Sequence, residues 1–92
     1  MDLHDYRNVR RVLRMMAKEW NCPVWLVKRT VQHIINKNWE RAQSIPEDKA
    51  RWDMYFPDGK PTTEQFILQK GRAFERGEEM PMLFRDEEEN LP

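Results

Sequence analysis

The sequence predicts an all-α fold: one small helical domain of about four helices that contains a helix-turn-helix. Apolar residues recur at the i, i+3, i+4, i+7 spacing of amphipathic helices in two long stretches, and breaks containing proline or glycine separate the helical segments. No segment longer than a few residues alternates apolar and polar side chains in the manner of a strand. The 92 residues fit one compact domain, since typical domains have about 100–150 residues.

The first helix is predicted over 6–20, where the apolar residues follow helical spacing from Tyr6 to Trp20. Asn21-Cys22-Pro23 interrupts this pattern, and proline suits the first position of a new helix because its missing N–H would be unpaired there. We therefore predict a tight turn and a second helix over about 23–41. The outer side of the first helix carries Arg7, Arg10, Arg11, Arg14 and Lys18. The buried stripe of the second is expected to comprise Val24, Val27, Val31, Ile34 and Ile35.

Two capping boxes predict where the third and fourth helices begin. Ser44 and Glu47 have capping-box spacing: the serine side chain accepts a hydrogen bond from a backbone N–H of the first turn, and the glutamate side chain accepts one from the backbone N–H of the serine. A short helix is therefore expected as far as about Tyr55. Thr62 and Gln65 repeat that spacing after a turn-forming stretch and predict a fourth helix that ends near Gly77. Large side chains are expected to complete the small core: Trp20, Trp39, Trp52, Phe66 and Phe74.

The sequence predicts two regions. Residues 1–77 are expected to form the helix-turn-helix domain, and residues 78–92 a C-terminal strap and acidic tail. Met80-Pro81-Met82-Leu83-Phe84 is expected to lie across an exposed groove of the same domain or of a partner. The acidic run that follows, Asp86 to Glu89, is expected to be solvated.

Charge is distributed unevenly along the chain although the formal net charge is zero. Residues 1–43 contain nine Lys or Arg against four Asp or Glu, so this part carries +5 and residues 44–92 carry −5. A basic half attracts phosphate and an acidic half repels it. Any polyanion is therefore expected to meet one face of the molecule only.

The residue types argue against several functions. A single cysteine, Cys22, forms no internal disulfide and supplies no set of soft ligands for zinc, so a reduced cytoplasm is the expected compartment. No apolar run of about 18 residues and no secretory leader occurs, so no membrane partner is expected. Three isolated glycines form no phosphate loop, and no Ser/His/Asp or Cys/His arrangement is present. We expect neither an enzyme nor a bound cofactor or metal.

The polar side of the second helix is the candidate binding site. At about 3.6 residues per turn, its outward side chains fall within about 100° of one another; they are Trp25, Lys28, Arg29, Gln32 and Asn36. In a helix-turn-helix the first helix supports the second, and the early outward residues of the second helix enter the major groove of DNA. Arginine binds guanine through two parallel hydrogen bonds, and lysine, glutamine and asparagine also donate to bases or phosphates.

Three separated motifs resemble the DNA-binding effector domain of the stage-zero sporulation response regulator. They are Ala17-Lys18-Glu19-Trp20-Asn21, then Val27-Lys28-Arg29-Thr30-Val31-Gln32-His33-Ile34-Ile35 with Trp39, and then Lys60-Pro61-Thr62 with Phe66. They stand in the family's order, and the resemblance covers about residues 9–75. It implies an all-helical, winged-helix-like effector domain in which helix 23–41 is the recognition helix. It also implies that Arg29 contacts a base and that His33 takes the place of the family's histidine.

The sequence departs from the family at several contact positions. Lys28 and Gln32 stand where the family has glutamate and arginine, and Val24 and Trp25 replace small polar residues. We therefore do not expect the family's own binding sequence. The family's receiver domain, which carries phospho-aspartate control, has no counterpart in these residues, so phosphorylation control is not inferred.

The leading prediction is a sequence-specific transcription regulator that binds double-stranded DNA. The predicted contacts are Trp25, Lys28, Arg29, Gln32, His33, Asn36 and Lys37 on the second helix, with Arg14, Lys18 and Lys60 on neighbouring segments. The alternative is a protein-interaction module that keeps the fold and modulates another regulator. A homodimer or a protein partner would use the aromatic surface or the C-terminal tail. Trp25 fits both hypotheses, because tryptophan contacts thymine methyls and also anchors protein interfaces.

Overall fold

The computed structural model describes residues 3–78, which form four α-helices. These are α1 (Leu3–Trp20), α2 (Val24–Ala42), α3 (Pro46–Tyr55) and α4 (Thr63–Glu75). No strand occurs among these residues, so the predicted all-α domain of four helices is confirmed, and this part of the chain has no β-wing. None of the four helices combines the length and the apolar character that a membrane span requires. The predicted strap and acidic tail lie outside the described residues.

A three-residue turn joins α1 to α2. Asn21 has φ = 54°, in the left-handed region that asparagine enters more readily than most residues. Its N–H donates to the Lys18 carbonyl at 3.2 Å, and the Cys22 N–H donates to the Ala17 carbonyl at 3.0 Å. This Schellman pattern satisfies the last carbonyls of α1. Cys22 packs against the core and Pro23 directly precedes α2, so the local sequence ends one helix and begins the next.

The core is centred on α2, which contacts the other three helices. Val27 and Ile35 on its inner side are fully buried. Trp52 of α3 is also buried, and its ring lies 5.8 Å from that of Phe56 and 6.0 Å from that of Phe66 on α4. Aromatic pairs at such separations contribute about 0.5–1.5 kcal/mol each beyond their burial. The other helices therefore hold α2 in place and leave its outer side exposed.

The starts of α3 and α4 are capped differently, although the sequence has capping-box spacing at both. The predicted capping box at Thr62 and Gln65 is confirmed, since each side chain bonds the backbone N–H of the other. The predicted box at Ser44 is wrong. The N-cap of α3 is Ile45, without a side-chain cap, and the Ser44 hydroxyl donates instead to the Arg41 carbonyl at the end of α2.

Two aromatic residues that were expected in the core are exposed. Trp20 is 39% exposed and Phe74 is 85% exposed. Both lie on helical positions consistent with an apolar stripe, but they line an open groove between α1, α2 and α4. Trp52 is buried as expected, and Trp39 is partly buried against the core.

The C-terminal end of α4 is held by a small polar cluster. The Tyr55 hydroxyl donates to Oε2 of Glu78 at 3.1 Å, and Arg76 donates to both oxygens of the same carboxylate. The hydrogen bonds from Arg76 and then from Tyr55 lower the pKa of Glu78, while burial and then the Glu78 bond raise the pKa of Tyr55. Because Gly77 has φ = 69°, the chain turns back at this point and brings Glu78 within reach of both donors.

Candidate nucleic-acid interface

The outer side of α2 presents a ridge of three side chains, Trp25, Arg29 and His33. They are spaced by four residues, lie on one side of the helix and are all exposed. At about 1.5 Å rise per residue the ridge is about 12 Å long. None of the three side chains forms a hydrogen bond, ion pair or ring contact with the rest of residues 3–78. The ridge is therefore available to a ligand, and Arg29 lies at its middle.

Gln32 is committed within the protein, although the sequence predicted it as a DNA contact. Its Nε2 group donates to the Pro61 carbonyl at 3.1 Å and to Oδ1 of Asn36 at 3.0 Å, and its Oε1 accepts from the Thr63 hydroxyl at 3.1 Å. The Thr63 hydroxyl also lies 3.1 Å from the Lys28 carbonyl. Gln32 thus holds α2 against the beginning of α4 through its bonds to Pro61 and Thr63, and its other amide hydrogen bonds Asn36 within α2.

Lys28 is also engaged by α4. Its Nζ lies 3.0 Å from Oε1 of Glu64, and both side chains are partly exposed. That oxygen makes no hydrogen bond among the described residues, so the contact is an ion pair without an aligned N–H. Exposed pairs of this kind contribute about 0–1 kcal/mol. Lys28 is held by this single ion pair, whereas Gln32 makes several hydrogen bonds.

The C-terminal half of α2 carries the other predicted contacts. Asn36 and Lys37 are partly buried, and Asn36 accepts from Gln32. Lys60, in the loop before α4, lies with its Nζ 6.0 Å from the centre of the Trp39 ring. This cation–π contact places a positive charge beside α2 while leaving Lys60 exposed.

The exposed side of α1 carries a line of positive charges. Arg7, Arg11, Arg14 and Lys18 are spaced by four, three and four residues and are all exposed. Within residues 3–78 none of them has an acidic partner. Arg14 and Lys18 belong to the last two turns of α1, next to the turn that leads into α2. The two helices thus bring the predicted phosphate and base contacts to neighbouring segments.

The sequence did not predict that Pro61, Thr63 and Glu64 contact the polar side of α2 and position it. The capping box predicted that a helix begins there, but helical periodicity carries no information about which helix lies beside it. The pairing of Gln32 with Thr63 spans 31 residues in the chain. Only the packing of α4 against α2 reveals it.

Among residues 3–78, no three His, Cys, Asp or Glu side chains group closely enough to hold a metal ion. Comparison with protein-family models, with curated proteins and with solved structures finds no match to this chain. The resemblance to the sporulation effector domain therefore stays a prediction that depends on the quoted motifs.

Proposed function

We propose that the protein is a sequence-specific DNA-binding transcription regulator, not an enzyme, and that α1, its turn and α2 act as a helix-turn-helix. In this proposal α2 is the recognition helix and enters the major groove of double-stranded DNA. The observation that carries the proposal is the uncommitted ridge of Trp25, Arg29 and His33 on a helix whose inner side is fixed by three neighbours.

Arg29 is assigned to base recognition. Its guanidinium has no partner in the described residues and lies in the middle of the ridge, where the second turn of a recognition helix approaches base edges. The planar guanidinium matches O6 and N7 of a guanine through two hydrogen bonds. Trp25 is assigned to an apolar contact such as a thymine methyl, and His33 to a contact farther along the groove.

The surrounding cations are assigned to the DNA backbone. Arg14, Lys18, Lys28 and Lys60 are exposed, and each supplies positive charge without a rigid hydrogen-bonding role. Phosphate contacts of this kind set affinity and orientation but carry no base information. Gln32 is assigned to structure, because its amide supports the Arg29 ridge from beside α4.

A second candidate function is a protein-interaction module built on the same fold. Trp25 is 62% exposed, and exposed tryptophans often anchor protein interfaces. In that case the ridge would enter a pocket of a partner regulator, and the positive line on α1 would contribute little to affinity.

Selection of binding sites from random duplex DNA at near-physiological salt tests the proposal. We expect one enriched sequence that contains a guanine, and an affinity that falls steeply as salt rises because counterions are released from DNA. If no sequence is enriched and no duplex binding occurs even at low salt, the DNA proposal fails. Retention of a protein partner by wild type but not by Trp25→Ala would then favour the interaction module.

A further inference from the structure

An apolar groove opens between α1, α2 and α4, away from the Arg29 ridge. Its lining includes Val12 and Trp20 from α1, Ile34 from α2, and Ile67 and Phe74 from α4. Phe74 is the most exposed of them, and Trp20 and Val12 are more than a third exposed. A groove with so many apolar side chains is costly to leave in water, since each Å² of apolar surface removed from water gains about 25 cal/mol.

We propose that residues Met82-Leu83-Phe84 of the same chain occupy this groove. These residues lie outside the described part, and their composition and the length of chain that leads to them favour this occupant. Met80 to Phe84 is the only strongly apolar stretch in the 14 residues that follow Glu78. Its proline excludes a simple continuation of α4.

The chain that follows Glu78 is long enough to reach the groove. Glu78 is fixed to Tyr55, on the side of α4 that carries Leu68, Gln69 and Arg72, whereas the groove lies on the side that carries Ile67, Gly71 and Phe74. The chain must therefore pass around the end of one helix, which is about 10–12 Å wide. The four extended Cα–Cα steps from Glu78 to Met82 span about 13 Å. This length is sufficient for Met82 to reach the groove.

Charge and shape agree with this occupant. Lys70 is the one charged residue among the described residues that line the groove, and an acidic run begins at Asp86, after Arg85 and two positions beyond the apolar segment. An opposite charge at the rim would fix the direction in which the segment lies. Gly71 leaves space for it, because a Cβ placed there would meet no atom within 4 Å outside its own helix.

Methyl NMR on the 92-residue chain tests the proposal. We expect nuclear Overhauser effects between the methyl groups of Leu83 or Met82 and those of Ile67 and Val12, with intensities that do not change on dilution. A chain ending at Glu78 should show shifted Ile67 and Val12 methyl signals relative to the longer chain. Gly71→Phe should abolish the contacts while leaving the amide spectrum of α2 unchanged, and Ala50→Phe on α3 serves as the matched control.

Two results would overturn the proposal. The first is the absence of these contacts together with identical Ile67 and Val12 signals in the two chain lengths. The second is contacts that weaken on dilution as the protein passes from dimer to monomer, which would identify a second copy as the occupant. The experiment contains no DNA, so its outcome is independent of the proposed function.

Discussion

Gln32 lies on the polar side of α2, yet its amide is used within the protein. A helical projection places it beside Arg29 and predicts the same role for both. The structure separates them, because the Pro61 carbonyl and the Thr63 hydroxyl approach Gln32 but not Arg29. The sequence could identify the polar side of the helix, but it could not show which polar groups another helix would use.

Substitution of Gln32 measures this structural role. Gln32→Ala leaves the carbonyl of the buried Pro61 without its donor, and an unsatisfied buried polar group costs about 1–3 kcal/mol. We expect that loss in the free energy of unfolding from urea titration. His33→Ala, which changes an exposed side chain one position away, should change stability by less than about 0.5 kcal/mol. Equal effects of the two variants would show that the Gln32 bonds contribute nothing measurable.

The Glu78 carboxylate gives a prediction about pH. Because its pKa is lowered in the folded chain, the folded state favours the ionised form, and the stabilisation is complete above the ordinary pKa of 4.5. It is lost as pH falls through the lowered value. Wild type should exceed Glu78→Gln in stability near neutral pH, and the difference should vanish in acid. A difference that stays constant from neutral to strongly acidic pH would argue against the Arg76–Glu78 contact.

At the level of elements, the two long helices were predictable and the short connections were less so. Apolar residues at helical spacing located α1 and α2 to within a few residues, and Thr62 with Gln65 located the start of α4. The Ser44 box failed because Pro46 already occupies the first turn of α3, and its fixed φ orders that turn without a side-chain cap. The same sequence spacing therefore marks the start of α4 at Thr62 but falls at the end of α2 at Ser44.

Two matched substitutions test that difference. Thr62→Ala removes a side chain that accepts from the Gln65 N–H, and loss of such a cap costs about 0.5–2 kcal/mol. Ser44→Ala removes only an exposed bond to the Arg41 carbonyl, so its effect should stay below about 0.5 kcal/mol. Thermal or urea unfolding compares them directly. A larger loss for Ser44→Ala would mean that this serine caps α3 after all.

The exposed positions of Trp20 and Phe74 are a matter of how elements pack. Periodicity shows which side of a helix is apolar, but not whether another element covers it. α1 and α4 contact each other, with an ion pair between Asp5 and Arg72, and they leave Trp20 and Phe74 beside an open groove. The angle between two helices is set by long-range packing, which a single sequence does not display.

For the whole molecule, the uneven charge predicts how affinity depends on salt. If Arg14, Lys18, Lys28 and Lys60 each neutralise one phosphate, log K should fall against log salt with a slope of about −3.6. Arg14→Ala should reduce the steepness by about 0.9. Arg51→Ala, an exposed cation on α3 outside the proposed site, should leave the slope unchanged. A slope near zero for wild-type protein would show that these four cations do not meet a phosphate backbone.

In the proposed complex with DNA, Arg29 of α2 distinguishes one base pair, and a base-preference profile tests this role directly. Wild type and Arg29→Lys are titrated against the selected duplex and against duplexes altered at each position in turn, with Arg14→Lys as the control. Lysine keeps the charge but cannot bind guanine through two parallel hydrogen bonds. We predict that Arg29→Lys loses about 1–3 kcal/mol of discrimination at a single guanine and little elsewhere, while Arg14→Lys keeps the whole profile. An unchanged profile for Arg29→Lys would show that Arg29 does not distinguish the base pair.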